Sequence, residues 1–190
     1  MKKLFLAAFA VFAFASVNAQ TEKGNWVIGG NSSISFASTT ATVESEGTQV
    51  GEDLKTSVFT VTPSVGYFVM DNLSVGLDLG FTSTKIEDAT TSAMSAVPVG
   101  TYYFEAGDNL KPFVGLGAGF ISTSSGDDDA LKSSGLALRG SAGLAYFINE
   151  SISINFVAQY LNTNQKNKAD NNIETKNSSI GLGVGFSLFL

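Results

Sequence analysis

From Ser178 to Leu190 the chain alternates between two kinds of side chain. Ile180, Leu182, Val184, Phe186, Leu188 and Leu190 fall on one parity, and Ser179, Gly181, Gly183, Gly185, Ser187 and Phe189 on the other. A repeat of two is the spacing of a β-strand, whose side chains point alternately to opposite faces. One face is a continuous apolar stripe, the other is mostly Gly and Ser, and no charge interrupts either. Left with an open edge, such a strand would pair with other copies, so the chain has to supply a partner. The expected partner is the first strand, Asn25 to Phe36, paired antiparallel so that the sheet closes on itself.

The same alternation recurs along the chain. The first strand carries Trp26, Ile28, Gly30, Ser32, Ile34 and Phe36 on one face. Further strands are expected over Thr56–Val69, Leu73–Thr84, Met94–Phe104, Pro112–Ser122, Ser134–Phe147 and Ser151–Leu161, with Ser178–Leu190 the eighth. In the fourth, whose parity is the least marked, Val97, Val99, Thr101 and Tyr103 are taken as the apolar face. These segments are about eleven to fourteen residues long, where a typical soluble strand has about five or six. A tilted strand crossing a membrane needs about nine to eleven. The connections also alternate. Short turns lie at Met70–Asn72, Glu105–Leu110 and Ile148–Glu150, and longer polar loops at Ala37–Lys55, Lys85–Ala93, Thr123–Ser133 and Asn162–Lys176. Short turns at one rim and long loops at the other mark a membrane barrel. Within the expected strands only Asp78 and Arg139 are charged.

The amino terminus agrees with export. Met1-Lys2-Lys3 precedes an apolar run from Leu4 to Ala15, and Ser16-Val17-Asn18-Ala19 supplies the small residues of a cleavage site before Gln20. That is the layout of a secretory signal peptide, so residues 1–19 are expected to be removed after Ala19 and residues 20–190 to form one domain. Without Lys2 and Lys3, nine Lys/Arg stand against seventeen Asp/Glu, a net charge of −8. An acidic chain is poorly suited to phosphate backbones, so nucleic acid is not an expected partner. With no Cys, disulfides and lipoprotein processing are excluded. Mean hydropathy is +0.18, yet no later apolar run is long enough for a membrane helix.

Which face points inward follows from composition. A soluble barrel would turn a charged face to water, but the second face here is Gly, Ser, Thr, Asn and Ala with two charges. A narrow eight-stranded interior is nearly filled by side chains and favours small ones. The small polar face is therefore expected inside and the apolar face in lipid. The architecture expected is all-β: an eight-stranded antiparallel up-and-down transmembrane β-barrel. Asp78 and Arg139 then both face the lumen, where buried charges are normally paired. Tyr67, Tyr103 and Tyr146 recur once per hairpin before the short turns, and Trp26 sits at the matching end of the first strand. These four are candidates for an interfacial aromatic girdle.

Taken together, these residues resemble the small eight-stranded outer-membrane barrels of the OmpA/OmpX-like type. The signal peptide, the alternating strands, the hairpin Gly66-Tyr67-Phe68-Val69-Met70-Asp71-Asn72-Leu73 and the closing strand carry the resemblance. It implies a bacterial outer-membrane location, with outer-membrane lipids and the barrel-insertion machinery as partners. The peptidoglycan-binding module that some relatives carry after the barrel is not expected here. Members usually end in an aromatic residue; here Leu190 is last and Phe189 stands one position early.

The chemistry available is restricted. The chain has no His and no Cys, which removes Ser–His and Cys–His nucleophilic sites and His metal ligands. Gly115-x-Gly117-x-Gly119 and Gly181-x-Gly183-x-Gly185 lack phosphate-loop spacing and lie in strands, where Gly suits a crowded inner face. Asp127-Asp128-Asp129 lacks the ligand pattern of a calcium loop and reads as a solvated acidic loop. No catalytic, cofactor or metal site is expected. The leading expectation is a non-enzymatic barrel serving envelope structure or surface interaction through its loops. A small passive pore is the second reading, and a soluble lipophile-binding barrel the third.

Overall fold

The computed structural model describes residues 21–45, 48–86, 89–107, 109–125, 132–168 and 174–190. The expected signal peptide, its cleavage point at Ala19 and Gln20, and Asp127–Asp129 lie outside the described residues. Eight strands follow one another: β1 (Trp26–Ser45), β2 (Thr48–Met70), β3 (Leu73–Ile86), β4 (Ala89–Tyr103), β5 (Leu110–Ser125), β6 (Lys132–Asn149), β7 (Ile152–Asn167) and β8 (Glu174–Phe189). Each pairs antiparallel with its neighbour in sequence, and β1 pairs with β8, so the sheet closes into a ring.

The seam joins Val27–Ser32 to Phe189–Val184. It is finished by a reciprocal pair of backbone bonds, Trp26 N–H to Leu190 C=O at 2.7 Å and Leu190 N–H to Trp26 C=O at 2.8 Å.

The strands run further than the alternation alone indicated. Much of the expected loop Ala37–Lys55 is ladder, pairing Ser38 with Lys55 through Ser45 with Thr48. The expected loop Asn162–Lys176 is likewise partly strand, with Asn162 opposite Ser178 and Lys166 opposite Glu174. The reason is that hairpin pairing does not stop where hydrocarbon stops. The Thr- and Val-containing run Ser38-Thr39-Thr40-Ala41-Thr42-Val43 favours extended backbone.

The short turns are built by Asx chemistry. Asn72 adopts a left-handed backbone (φ 64°), which Asn tolerates better than most residues. The Asn149 side-chain oxygen accepts the N–H groups of Ser151 (2.9 Å) and Ile152 (2.8 Å). Register shifts at Phe68/Met70 and Phe147/Asn149 place a bulge before two of these turns.

The fourth strand has the opposite parity to the one expected. Val97 is 1% exposed and Tyr103 is 8% exposed, both inside, whereas Met94, Ala96, Pro98, Tyr102 and Phe104 face outward. Cross-strand partners share a face. Val97 lies opposite Asp78, and Tyr103 opposite Phe113. The glycines of β5 then make room: a Cβ on Gly117 would fall 2.6 Å from Val99 Cγ1 and 2.8 Å from Val97 Cγ1. On this strand the bulky parity fills space that its neighbour leaves empty.

Candidate functional site in the barrel lumen

The lumen is filled in layers. Nearest the short turns, the segment ahead of β1 folds across the mouth. Thr21 is 3% exposed, and its carbonyl accepts Asn72 N–H at 2.7 Å. Its hydroxyl accepts from Lys111 Nζ at 3.0 Å and donates to Asn72 Oδ1. Gly24 N–H reaches Phe68 C=O and Phe68 N–H reaches Asn25 C=O, each at 2.9 Å. Lys111, inside this rim, lies within β5, one residue ahead of the strand expected from the sequence.

Behind the rim comes an aromatic layer. Phe68, Tyr103, Phe113, Phe147 and Phe189 pack together, with Val27, Ala145 and Val157 around them. Ring centroids are 4.9 Å apart for Phe147–Phe189, 5.6 Å for Phe68–Tyr103 and 5.6 Å for Tyr103–Phe113. Phe189 is fully buried, touching Phe68, Tyr103 and Phe147. Sequence reasoning missed this layer, because the inner parity was characterised by its Gly and Ser. The signal was present: Phe68, Phe147 and Phe189 are large residues on the small-residue parity, each at the short-turn end of its strand.

Above the aromatic layer the interior turns polar. Asn155 donates to Ser187 Oγ at 2.7 Å and accepts from Ser153 Oγ at 2.8 Å. Arg139 Nη1 then donates to Asp78 Oδ2 at 2.9 Å, and Nη2 donates to Gln159 Oε1 at 2.6 Å. Thr62 Oγ1 accepts more distantly, at 3.5 Å. The two charged side chains are 10% and 20% exposed, so each offsets part of the other's cost of leaving water. A cavity of about 70 Å³ adjoins the pair, with Ser64, Ser141 and Gln159 on its wall. Toward the long-loop end, Ile121 and Ala137 pack with Val97, Val99 and Leu161. Further on, Thr123 Oγ1 donates to Gln165 Oε1 at 2.9 Å.

The structure therefore brings Asp78 and Arg139 together on the inner face, from strands far apart in sequence. Of the aromatic candidates, Trp26, Tyr67 and Tyr146 lie on the outer face, 50%, 38% and 49% exposed, and Trp26 stacks near Tyr67 with centroids 5.1 Å apart. Tyr103 does not join them; it belongs to the inner aromatic layer, and Tyr102 and Phe104 occupy the outer positions on that hairpin. The tyrosine repeat misled here because Tyr102 and Tyr103 are adjacent, and only the pairing of Tyr103 with Phe113 decides which one points out.

An apolar outer face and a packed polar-and-aromatic interior define a membrane barrel. Residues 4–186 match the family described as outer membrane protein beta-barrel domain, and the chain belongs to that family. Solved structures similar to it include OprG from Pseudomonas aeruginosa, with a TM-score of 0.55 and 17% identity, over 92% of this chain and 99% of that one. Neisserial surface protein A has a TM-score of 0.58 and 16% identity, over 88% of this chain and 98% of that one. The N-terminal barrel domain of Pseudomonas aeruginosa OprF has a TM-score of 0.51 and 18% identity, over 87% and 98%. At these identities the likeness is one of fold. No curated protein matches the chain. The protein is a bacterial outer-membrane barrel with its apolar face in lipid.

Proposed function

We propose that this protein is a non-enzymatic, non-conducting barrel that serves envelope structure and surface interaction through its long-loop end. The observation that carries this reading is the double closure of the lumen, by the aromatic layer around Phe189 and by the Asp78–Arg139–Gln159 network. Eight strands leave an interior that side chains nearly fill, and here two chemically different layers occupy it. With no His or Cys in the sequence, the usual nucleophile–base pairs are also absent.

Surface interaction is supported by the β1–β2 hairpin. The β2–β3 ladder ends at Thr56 opposite Ile86, while β1 and β2 continue together to Ser45 and Thr48. This ribbon extends on the long-loop side, where a rigid scaffold characteristically presents binding residues. Outer-membrane lipids and the barrel-insertion machinery are the partners this reading requires. The outward aromatics Trp26, Tyr67, Tyr102 and Tyr146 fit a girdle at the headgroup level of the short-turn side.

Planar-bilayer recording tests the proposal. Purified, heat-modifiable protein is expected to give no steady single-channel openings; regular openings in the unmodified protein would establish the passive pore instead.

A further inference from the structure

The ladder that closes the ring is short. It pairs Val27–Ser32 with Phe189–Val184 and stops, while every other ladder runs further. Beyond Ser32, toward the long loops, β1 continues to Ser45 bonded to β2 alone, and β8 reaches back to Glu174 bonded to β7 alone. On the short-turn side of this branch the strands are pressed together: a Cβ on Gly29 would fall 2.5 Å from Ser187 Oγ and 2.8 Å from the Phe186 carbonyl oxygen. On the long-loop side, a Cβ on Gly181 would meet nothing within 4 Å. Along the inner parity of β8, Gly185 is buried, Gly183 half-buried, and Gly181 and Ser179 exposed. The outer parity is bare as well. Leu182 and Ile180, 78% and 80% exposed, are the two most exposed large apolar side chains among the described residues. The wall is therefore slit between β1 and β8, and the slit lies beside the lumen network, since Gly181 is directly opposite Gln159.

Backbone chemistry says what belongs in the slit. Trp26 and Leu190 exchange both of their N–H and C=O bonds. Such pairs recur at every second position of an antiparallel ladder. The next ones past Ser32–Val184 fall at Leu182 and Ile180, whose peptide groups have no ladder partner on the β1 side among the described residues. Both residues lie on the lipid-facing stripe, and hydrocarbon offers a peptide group no substitute partner. The seam register, continued without a shift, sets Ser33 opposite Gly183, Ile34 opposite Leu182, Ser35 opposite Gly181 and Phe36 opposite Ile180. Apolar residues meet apolar residues on one parity and small residues meet small on the other. The chain's own β1 is thus the complement of the open β8 edge.

We propose that this half of the seam is a two-position zipper hinged at Ser32 and Val184. The structure holds the open position. In the closed one, Ser33–Phe36 pair with Gly183–Ile180, and the wall is continuous past the Arg139 network. The edge bonds gained favour closing; the freedom lost by the β1–β2 and β7–β8 hairpins, which closing ties together, opposes it. The zipper sets whether the polar interior has an opening through its side. It does not rest on the barrel being non-conducting, which concerns passage along the axis.

Disulfide trapping tests it, and because the chain has no Cys, an introduced pair reports on the seam alone. Ser35→Cys with Gly181→Cys sets two thiols at facing positions that do not bond each other through the backbone, where the strands approach within disulfide reach. The full chain in phosphatidylcholine vesicles is treated with a mild thiol oxidant. The cross-link is expected to form about tenfold more slowly than in Asn162→Cys with Ser178→Cys, a pair whose native side chains already bond across β7 and β8 at 2.7 Å. The rate scales with the fraction of time spent closed, on the order of a tenth for a minor state. Before oxidation, the thiol at position 181 is expected to react with a maleimide. Ala37→Cys with Gly181→Cys, two residues out of register, is expected to stay reduced. Heat-modifiability establishes that each variant is folded, and Ser33→Cys with Gly183→Cys is a second matched pair should the first fail to assemble. No cross-link in a folded matched pair would overturn the proposal, as would trapping at the control rate with the thiol shut to maleimide. Equal trapping in the out-of-register pair would overturn it too.

Discussion

Arg139 is the residue on which the interior turns. It meets Asp78, Gln159 and Thr62 from three other strands, and Asp78 has no other charged partner among the described residues. Removing the guanidinium strands a buried carboxylate, which typically costs about 3–5 kcal/mol. Arg139→Ala is therefore expected to lower unfolding stability in detergent by about that amount. Arg139→Met with Asp78→Leu, which removes both charges, is expected to recover most of the loss, because a well-packed apolar replacement of a buried pair is often near neutral. A double-mutant cycle by urea unfolding checks this; additive losses would mean that the two side chains do not depend on one another. The inward placement of these two residues was legible in the sequence, since both fall on the Gly/Ser parity of their strands. The involvement of Gln159 was not, because nothing in a period of two distinguishes one inner polar residue from another.

The elements show where alternation is a sufficient guide and where it is not. It located all eight strands, and it oriented those whose two faces differ sharply, such as β5 and β8. It failed on β4, where Val97, Val99 and Tyr103 on one side compete with Met94, Pro98 and Tyr102 on the other. There the neighbours decide, through the space left by Gly115 and Gly117 beside Thr101, Val97 and Val99. That complementarity makes glycines unequal. A Cβ at Gly135 would collide with the Asn164 carbonyl oxygen and lie 2.6 Å from Gln165 Cα, both backbone atoms that cannot step aside. At Gly100 and Gly181 it would meet nothing within 4 Å. Gly135→Ala is thus expected to impair the β6–β7 pairing and reduce the folded fraction on a heat-modifiability gel. Gly100→Ala and Gly181→Ala are expected to match the unmodified protein or gain slightly from a less flexible unfolded chain.

At the scale of the whole molecule, the barrel has a filled interior whose two layers are made from different chemistry. Removing one should not open the other. Phe189→Ala, which takes the most central ring from the aromatic layer, is expected to destabilise by about 3–5 kcal/mol yet leave the bilayer silent, because the Arg139 network remains. Combining it with Phe68→Ala and with the charge-free Arg139/Asp78 pair is expected to produce measurable conductance. Openings in Phe189→Ala alone would mean that the aromatic layer is the sole barrier. The sequence conveyed the barrel, the face that meets lipid and the lumen charges, because these follow from periodicity and charge placement. It did not convey the aromatic layer or the cap formed by Thr21 and Lys111, which depend on residues distant in the chain arriving at one end together.

The seam between Val27–Ser32 and Phe189–Val184 differs from every other junction in how its partners find each other. Seven ladders join strands that follow one another, so each can zip from its own hairpin. The seam joins segments from opposite ends of the barrel sequence, and loop-closure entropy opposes it until the other ladders hold the curve. Until then a nearly complete sheet carries two open apolar edges, each able to template another copy. The closing ladder is thus the slow, hazardous step of assembly, and the interval before it is when this chain has most need of an escort.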